Sequence, residues 1–171
     1  MIDANSIVVS ILNSADGVHD FRCEKQEYSD FLASPDGAIG FQKKNLAVTY
    51  LFRSHSSIIG FITLALTSLR KPNAQEKSDQ QEVNEIPSLL LTHIARDLRY
   101  KAKGVGKIMM DWTINFACEL AATVGCRFVV IEIPQDMITL FQRYGFELLP
   151  PDRNDRHYVM FFDLGLREIK Q

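Results

Sequence analysis

The chain has 171 residues, of which 46% are hydrophobic, and its 19 Lys and Arg residues against 21 Asp and Glu residues give a formal net charge of -2. This length supports one domain with a full core, and the nearly balanced charge excludes a global electrostatic case for nucleic-acid binding. The sequence contains no run of about 18 apolar residues, and its N-terminus lacks the basic start of a secretory signal. We therefore expect a single cytoplasmic domain over residues 1–171, with no membrane partner.

The first half of the chain predicts one helix among three strands. Runs rich in β-branched and aromatic residues at 6–12, 45–53 and 57–69 are typical of strands. Only the polar residues SHS separate the last two runs, which indicates a hairpin. Between the first two runs, residues 23–32 have the spacing of an amphipathic helix.

Residues 70–85 (RKPNAQEKSDQQEVNE) differ abruptly in composition, because Val83 is their only large apolar residue. Such a segment cannot bury a face against a core. We expect a mobile loop at 70–85. Too little chain precedes this loop for that half to fold alone, so we interpret it as an insertion within one domain.

The second half predicts a strand at 86–95, a long helix and a strand at 128–133. The helix carries an apolar stripe at spacings of three and four and ends near Gly125. The stripe consists of Val105, Met109, Trp112, Phe116 and Leu120. This order predicts a parallel crossover, with the loop before the helix at the carboxyl end of the first strand, where α/β sheets bind ligands.

A second helix at 135–145 and a hairpin of residues 146–150 with 157–164 complete the predicted α/β fold. The three cysteines are odd in number and form no CxxC pair, and the four histidines are scattered along the chain. A structural zinc site requires clustered thiolate and imidazole ligands. We therefore expect reduced thiols and no metal.

The loop before the long helix lies within RYKAKGVGKIMM, residues 100–111, and matches neither common nucleotide-binding motif. A Walker P-loop requires Ser or Thr where Ile108 stands, and a dinucleotide fingerprint requires a third glycine where Met109 stands. What remains is a short loop in which Gly104 and Gly106 let an anion approach backbone N–H groups at the positive end of a helix.

Basic side chains surround this loop. Among the charged residues from Arg96 to Lys107, five are cations and one is Asp97, which gives a local formal charge of +4. A pyrophosphate fits this environment. A solvated turn that opens an amphipathic helix explains the same residues, and the loop alone does not decide between the two.

Together with its surroundings, the loop resembles the GNAT family of N-acetyltransferases. The acetyl-CoA signature of that family, Gln/Arg-x-x-Gly-x-Gly/Ala after a strand, is matched by residues 101–106 (KAKGVG), with lysine in the first position. The family's Phe-Tyr-x-x-x-Gly-Phe segment is matched by residues 140–146 (LFQRYGF). The resemblance runs from about Phe21 to Phe162. It implies an α/β fold with a mixed sheet, whose central strands splay apart around the cofactor.

The resemblance also implies where acetyl-CoA binds as co-substrate. The pantetheine arm lies along the strand backbone of Ile94, Ala95 and Arg96, and Phe141 lies near the thioester. An acceptor amine attacks the thioester carbonyl, and backbone N–H groups of the loop stabilise the oxyanion. The pyrophosphate lies on the loop residues Lys101, Ala102, Lys103, Gly104, Val105, Gly106 and Lys107.

One position departs from the family. Where GNAT enzymes have the tyrosine that is proposed to protonate the departing thiolate, this chain has Phe141, which has no proton to donate. General acid catalysis typically contributes about 10²- to 10⁴-fold. Three alternatives stay open: a slower enzyme, another donor such as Tyr144, or a module that binds CoA without turnover. Our hypothesis for the group that steers or deprotonates the amine is Glu132.

A narrower resemblance, to the GNAT-type toxins of bacterial toxin–antitoxin pairs, is carried by residues 21–23, 59–64 and 86–91. It implies aminoacyl-tRNA as the acceptor, and a homodimer or an antitoxin-like protein partner is compatible with it. The acidic net charge argues against assigning this acceptor from the resemblance alone, because a tRNA-binding enzyme is expected to have basic surface beyond its cofactor loop. The expected function is N-acetyl transfer, with the acceptor left open among a small molecule, a protein and aminoacyl-tRNA.

Overall fold

We describe a computed structural model of the chain that covers residues 6–14, 16–70, 85–149 and 157–166. Its helices are α1 (Gln26–Ala33), α2 (Ala38–Lys43), α3 (Val105–Val124) and α4 (Ile138–Arg143). Its strands are β1 (Ile7–Ile11), β2 (Val48–Ser54), β3 (Ser57–Arg70), β4 (Glu85–Arg96), β5 (Phe128–Ile133), β6 (Glu147–Leu148) and β7 (Tyr158–Asp163). The mobile loop expected at 70–85 lies outside the described residues, apart from its two end residues.

The strands form a mixed sheet in the order β1-β2-β3-β4-β5-β7-β6. The pairs β1–β2, β2–β3, β5–β7 and β6–β7 are antiparallel. In contrast, β4 and β5 are parallel, with Ser88 opposite Phe128 and Leu90 opposite Val130. The predicted fold class and the parallel relation of the two strands that flank the long helix are therefore confirmed.

The chain divides into two compact units, which are residues 1–65 with 91–113 and residues 66–90 with 114–171. The division falls within β3, β4 and α3, so each of these elements contributes to both units. The expectation of a single domain over residues 1–171 stays a prediction.

The core of the first unit joins the segment before α1 to the strands. The Phe21 ring meets the Phe61 ring edge-on, with centroids 5.4 Å apart, and Leu32 of α1 is buried in the same cluster. Burying a large apolar side chain contributes about 1.5–3 kcal/mol. The remaining buried members are Leu12, Val18, Cys23, Ala38, Leu51, Ile58 and Ala95. Because Ala95 lies in this core, residues 21–24 are held beside the end of β4.

Helix α2 was not predicted from the sequence. A Cβ atom at Gly37 would overlap the carbonyl oxygen of Phe31, and one at Gly40 would lie 2.9 Å from the carbonyl oxygen of Pro35. These glycines therefore allow close backbone packing between α1 and α2. With only six residues, α2 is too short to show a helical period in the sequence.

The hairpin between β2 and β3 is confirmed, with Ser54 opposite Ser57. His55 in its turn has a φ of 55°. The end of α3 is also confirmed, since Gly125 follows the helix with a φ of 83°, as expected of a C-terminal capping glycine.

The apolar stripe predicted for α3 is only partly correct. Val105 and Met109 are buried, whereas Trp112 and two further members, Phe116 and Leu120, are half-buried. The other buried positions of the helix are Met110, Thr113, Ile114 and Ala117. The buried face of α3 is therefore rotated from the predicted stripe towards these smaller side chains. Among the described residues, no helix is long and apolar enough to span a membrane.

Candidate functional site

Strand β4 ends in a buried carboxylate that organises the loop after it. Asp97 accepts hydrogen bonds from the backbone N–H of Arg22 at 3.2 Å and of Arg99 at 2.9 Å. The Arg99 guanidinium adds two more, from Nε at 2.8 Å and from Nη2 at 2.9 Å. The Asp97 backbone N–H also donates to the Ile59 carbonyl at 2.9 Å. Asp97 thus ties the start of the loop to β3 through its backbone and to the segment before α1 through its side chain.

Burial raises the pKa of the Asp97 carboxyl, but the hydrogen bonds from Arg99 and from the backbone of Arg22 lower it further than burial raises it. The net effect is a pKa below the ordinary value of 3.8. The same contact raises the pKa of Arg99. Asp97 is therefore ionised at neutral pH although it is fully buried.

The loop itself depends on two residues in the left-handed region. A single 3₁₀ turn at Leu98–Tyr100 follows Asp97, after which Ala102 has a φ of 60° and Gly104 a φ of 85°. Among the described residues other than Gly104 and its two chain neighbours, no atom lies within 4 Å of the position that a Cβ atom of Gly104 would occupy. The glycine is therefore required by backbone conformation, and the space beside it is open within the described residues.

Helix α3 begins directly after Gly104. Its first backbone hydrogen bond runs from the Ile108 N–H to the Gly104 carbonyl at 3.2 Å. The N–H groups of Val105, Gly106 and Lys107 precede that bond, so helix geometry leaves them without an intrahelical acceptor. Together with the positive end of the helix macrodipole, such groups can bind an anion.

The cations of the loop are paired to a greater extent than the sequence predicted. Lys101 Nζ lies 2.9 Å from a carboxylate oxygen of Glu24, and Arg96 Nη2 lies 3.2 Å from the same oxygen. Lys107 pairs with Asp111 one helical turn away, and the Lys103 ammonium lies 4.9 Å from the centroid of the Tyr100 ring. With both additional carboxylates included, five cations face three carboxylates, so the local excess is smaller than the predicted +4.

Glu24 was missed because it lies 72 positions before Arg96 in the sequence. No local pattern joins two residues so far apart. The only usable signal was the predicted likeness around residues 21–23, which indicates that this segment belongs to the same structural core.

The remaining residues expected to bind the cofactor lie in the first unit, except Phe141, which lies in the second. On β4, Ala95 is buried while Ile94 and Arg96 are half-buried. In the loop, Ala102 and Lys103 are exposed, whereas the side chain of Val105 is buried. Val105 can therefore offer an anion only its backbone N–H. The end of β4, the loop and the start of α3 follow one another directly in the chain and lie in this unit. Their role in binding the cofactor stays a prediction.

Gly60 on β3 sets how closely α3 approaches this region. A Cβ atom at Gly60 would lie 2.6 Å from Sδ of Met109 and 3.0 Å from the carbonyl oxygen of Ala95. A missing side chain therefore lets the first turns of α3 pack against β3 and β4.

His93, next to this segment on β4, belongs to an aromatic cluster with α1. Its ring stacks on Phe31, with centroids 3.9 Å apart and planes 6° from parallel, and meets the edge of Tyr28 at 5.1 Å. Its Nδ1 lies 3.1 Å from Oγ1 of Thr92. Burial lowers the pKa of His93 below 6.5, and the charge of Glu27 opposes this shift. The packing explains His93 as a structural residue of the first unit.

The second unit holds the residues considered for proton transfer. Phe141 is only 2% exposed, and its ring meets the edge of Phe146 at 5.6 Å. The Phe146 ring in turn lies 5.6 Å from that of Phe162. These three phenylalanines form an aromatic cluster between α4, β6 and β7, which accounts for the burial of Phe141 by packing.

Tyr144 and Glu132 are differently placed within this unit. Tyr144 is half-buried at the end of α4, with its ring 6.4 Å from that of Phe141. Glu132 is exposed on β5, opposite Val159 of β7. The structure thus brings Tyr144 into ring contact with Phe141. The catalytic roles of Tyr144 and Glu132 stay predictions.

The described cysteines are free thiols. Burial raises the pKa of Cys126. Within the described ranges, no group of three or more His, Cys, Asp or Glu side chains is arranged to hold a metal ion.

The parallel pair β4–β5, joined through the glycine loop and α3 within a mixed sheet, has the architecture of the GNAT fold. No family model matches the chain. A tRNA-acetylating toxin of Mycobacterium tuberculosis is 21% identical over 142 residues, which are 82% of this chain and 84% of the relative.

Two solved structures of the toxin AtaT have the same fold. AtaT complexed with acetyl-methionyl-tRNAfMet has a TM-score of 0.79 and 20% identity, over 94% of this chain and 96% of that one. A tyrosine-to-phenylalanine mutant of AtaT, bound to acetyl-CoA and the C-terminus of the antitoxin AtaR, has a TM-score of 0.75 and 20% identity, over 94% of both chains. The fold expected from the resemblance to GNAT-type toxins is therefore confirmed.

Proposed function

We propose that this protein is an N-acetyltransferase that uses acetyl-CoA as co-substrate. The observation that carries the proposal is the loop at the end of β4, where Gly104 turns the chain into the N-terminus of α3 beside open space. The N–H groups of the first helical turn suit a pyrophosphate. A solved structure with the same fold holds acetyl-CoA, which supports the same ligand here.

In the proposed reaction, the pyrophosphate binds the N–H groups of Val105, Gly106 and Lys107, and the pantetheine arm follows the β4 backbone from Ile94 to Arg96. The acceptor nitrogen attacks the thioester carbonyl and forms a C–N bond. The C–S bond then breaks, the nitrogen loses a proton, and the CoA thiolate takes one up. Backbone N–H groups can stabilise the intermediate oxyanion without any particular side chain.

Proton transfer is assigned to two groups of the second unit. We assign protonation of the leaving thiolate to Tyr144, whose ring contacts the phenylalanine that replaces the family's acid. We assign steering of the amine to the exposed carboxylate of Glu132. A thiol has a reference pKa of about 8.5, so the thiolate also leaves without help, at a lower rate.

Aminoacyl-tRNA is the acceptor that we propose. Support comes from the tRNA-acetylating toxin that resembles this chain and from the tRNA complex of AtaT. Exposed cations outside the loop occur at Lys25, Lys43 and Lys44 in the same unit, and they meet in part the requirement for basic surface. An enzyme with these substrates acts in the cytoplasm. By analogy with AtaT, an antitoxin-like protein is its proposed partner. The homodimer expected from the sequence stays a prediction.

Transfer of radiolabelled acetyl groups from acetyl-CoA tests this proposal. The acceptors are a set of aminoacyl-tRNAs, the same tRNAs uncharged, free amino acids and a panel of small amines. We expect label only on charged tRNA and loss of transfer at high salt, because phosphate contacts are screened. Label on small amines alone would leave the enzyme class standing and overturn the tRNA acceptor.

A second candidate function is a CoA-binding module without turnover. The packing of Phe141 into an aromatic cluster favours it, because a buried ring without a hydroxyl offers no acid. Calorimetric binding of acetyl-CoA without thiol release, across the whole acceptor panel, would establish this alternative.

A further inference from the structure

A carboxylate from a distant segment lies between two cations at the cofactor loop. Glu24, just before α1, accepts from Lys101 Nζ at 2.9 Å and from Arg96 Nη2 at 3.2 Å with the same oxygen. Both cations belong to the segment that we expect to bind acetyl-CoA. Glu24 thus occupies the position that an anionic ligand would take between them.

Arg96 has further capacity to bind an anion. Its Nη1 is buried and has no hydrogen-bond partner among the described residues. A buried donor left without an acceptor is unfavourable, because it has lost its hydrogen bonds to water. A guanidinium can bind two oxygens side by side, whereas Glu24 engages only its Nη2. An anion with several oxygens could satisfy both nitrogens.

The contact between Glu24 and Lys101 can be broken at low cost. The two side chains are 56% and 68% exposed, and ion pairs at such exposure contribute little to stability. The hydrogen bond from Lys101, with the charges of Lys101 and Arg96, holds the pKa of Glu24 below 4.5. Glu24 is therefore charged at neutral pH and repels any phosphate that approaches.

We propose that Glu24 is a competing anion at the cofactor site: it neutralises Arg96 and Lys101 in the free protein, and a phosphate of the bound cofactor displaces it. Glu24 therefore lowers the affinity for acetyl-CoA. This inference rests on the proposed use of acetyl-CoA. It assigns phosphate binding to the side chain of Arg96, whose backbone is proposed to contact the pantetheine arm.

Calorimetry with two probes, CoA and inorganic pyrophosphate, tests the proposal. Glu24→Gln keeps the side-chain shape and removes the charge. We therefore expect both probes to bind about three- to tenfold more tightly, the effect of one unit charge about 3–6 Å away when water screens it as in bulk solvent. The gain should shrink with added salt. In a Lys101→Met background the gain should fall, because one of the two cations that Glu24 neutralises is gone.

Glu27→Gln is the matched control, because it removes the same charge from an exposed glutamate three residues away. Unchanged or weaker binding of both probes by Glu24→Gln, or an equal gain in Glu27→Gln, would overturn the proposal. Tighter pyrophosphate binding by Glu24→Gln in a protein that binds no CoA would support the competing anion and reject the proposed co-substrate. Binding of neither probe by the folded wild type would reject both.

Discussion

Arg99 donates three hydrogen bonds to the Asp97 carboxylate: from its backbone N–H at 2.9 Å, from Nε at 2.8 Å and from Nη2 at 2.9 Å. The carboxylate is fully buried, whereas the arginine side chain is 56% exposed. The pair therefore fixes the chain direction where β4 ends and the cofactor loop begins. Because the negative charge of Asp97 is buried, removal of one partner of this pair would cost more than it would at an exposed site.

Asp97→Asn should destabilise the protein by about 2–4 kcal/mol, because an amide replaces one acceptor oxygen by a donor facing the arginine. We also expect weaker acetyl-CoA binding, measured by calorimetry below the unfolding temperature. Asp163→Asn is the control, since Asp163 pairs with Arg127 at 2.7 Å in the second unit. Equal loss of acetyl-CoA affinity in both variants would contradict a specific role of Asp97 at the loop.

His93 should make stability depend on pH near neutrality. Burial lowers its pKa below the ordinary 6.5, so the unfolded chain binds the proton more readily. Stability should therefore fall as the pH decreases through about 6.5 and level off below the lowered pKa of the folded state. Thermal unfolding between pH 8 and 5 measures this effect, at about 2–4 °C for each kcal/mol.

The variant His93→Phe should keep the stack on Phe31 and lose this pH dependence. His55→Phe, in the β2–β3 turn, is its control, because His55 is exposed. An unchanged slope in His93→Phe would assign the pH dependence to other groups.

Gly104 and Gly125 provide a matched pair for testing the loop. Both have a left-handed φ, 85° and 83°. In the described part of the chain, no atom beyond the neighbouring residues lies within 4 Å of a Cβ added at either position. Alanine at either position should cost about 1–2 kcal/mol of stability through backbone strain. Only Gly104→Ala should also weaken acetyl-CoA binding, because its methyl group would hinder the approach of a phosphate to the backbone N–H groups. We expect a loss of about tenfold, since a hydrogen bond to a charged group is worth about 1.5–3 kcal/mol. Equal affinity in both variants, or Gly104→Val binding as well as wild type, would refute this loop as the pyrophosphate site.

Phe141→Tyr should raise turnover with a suitable amine, provided that departure of the thiolate limits the rate. Tyr144→Phe should lower turnover by more than about tenfold if Tyr144 is the acid. Phe146→Tyr adds the same hydroxyl to the neighbouring ring of the aromatic cluster and controls for altered packing. Steady-state thiol release measures all three variants. A gain in Phe146→Tyr equal to that in Phe141→Tyr would show that position 141 has no special relation to the thiolate.

Local patterns in the sequence were enough to predict β4, the glycine loop and the start of α3. Gly104 and Gly125 mark turns because each needs a left-handed φ. At Gly37, in contrast, glycine permits the close approach of the backbone to Phe31.

Contacts between segments that lie far apart in the sequence could not be predicted from local sequence patterns. Glu24 reaches Arg96 only after the core has brought the two segments together. The predicted charge around the loop was therefore too high, although every cation in it was correctly identified.

Gly60 lies so close to Met109 that the size of the side chain at position 60 affects the position of α3, and with it the loop before the helix. A methyl group at position 60 would have to displace the Met109 sulfur, 2.6 Å away, and with it the first turns of α3. We therefore expect compensation between the two sites: Gly60→Ala alone should loosen the start of the helix, and a smaller residue at position 109 should restore it. In a set of homologous sequences, the sizes of the residues at these two positions should vary in opposite directions.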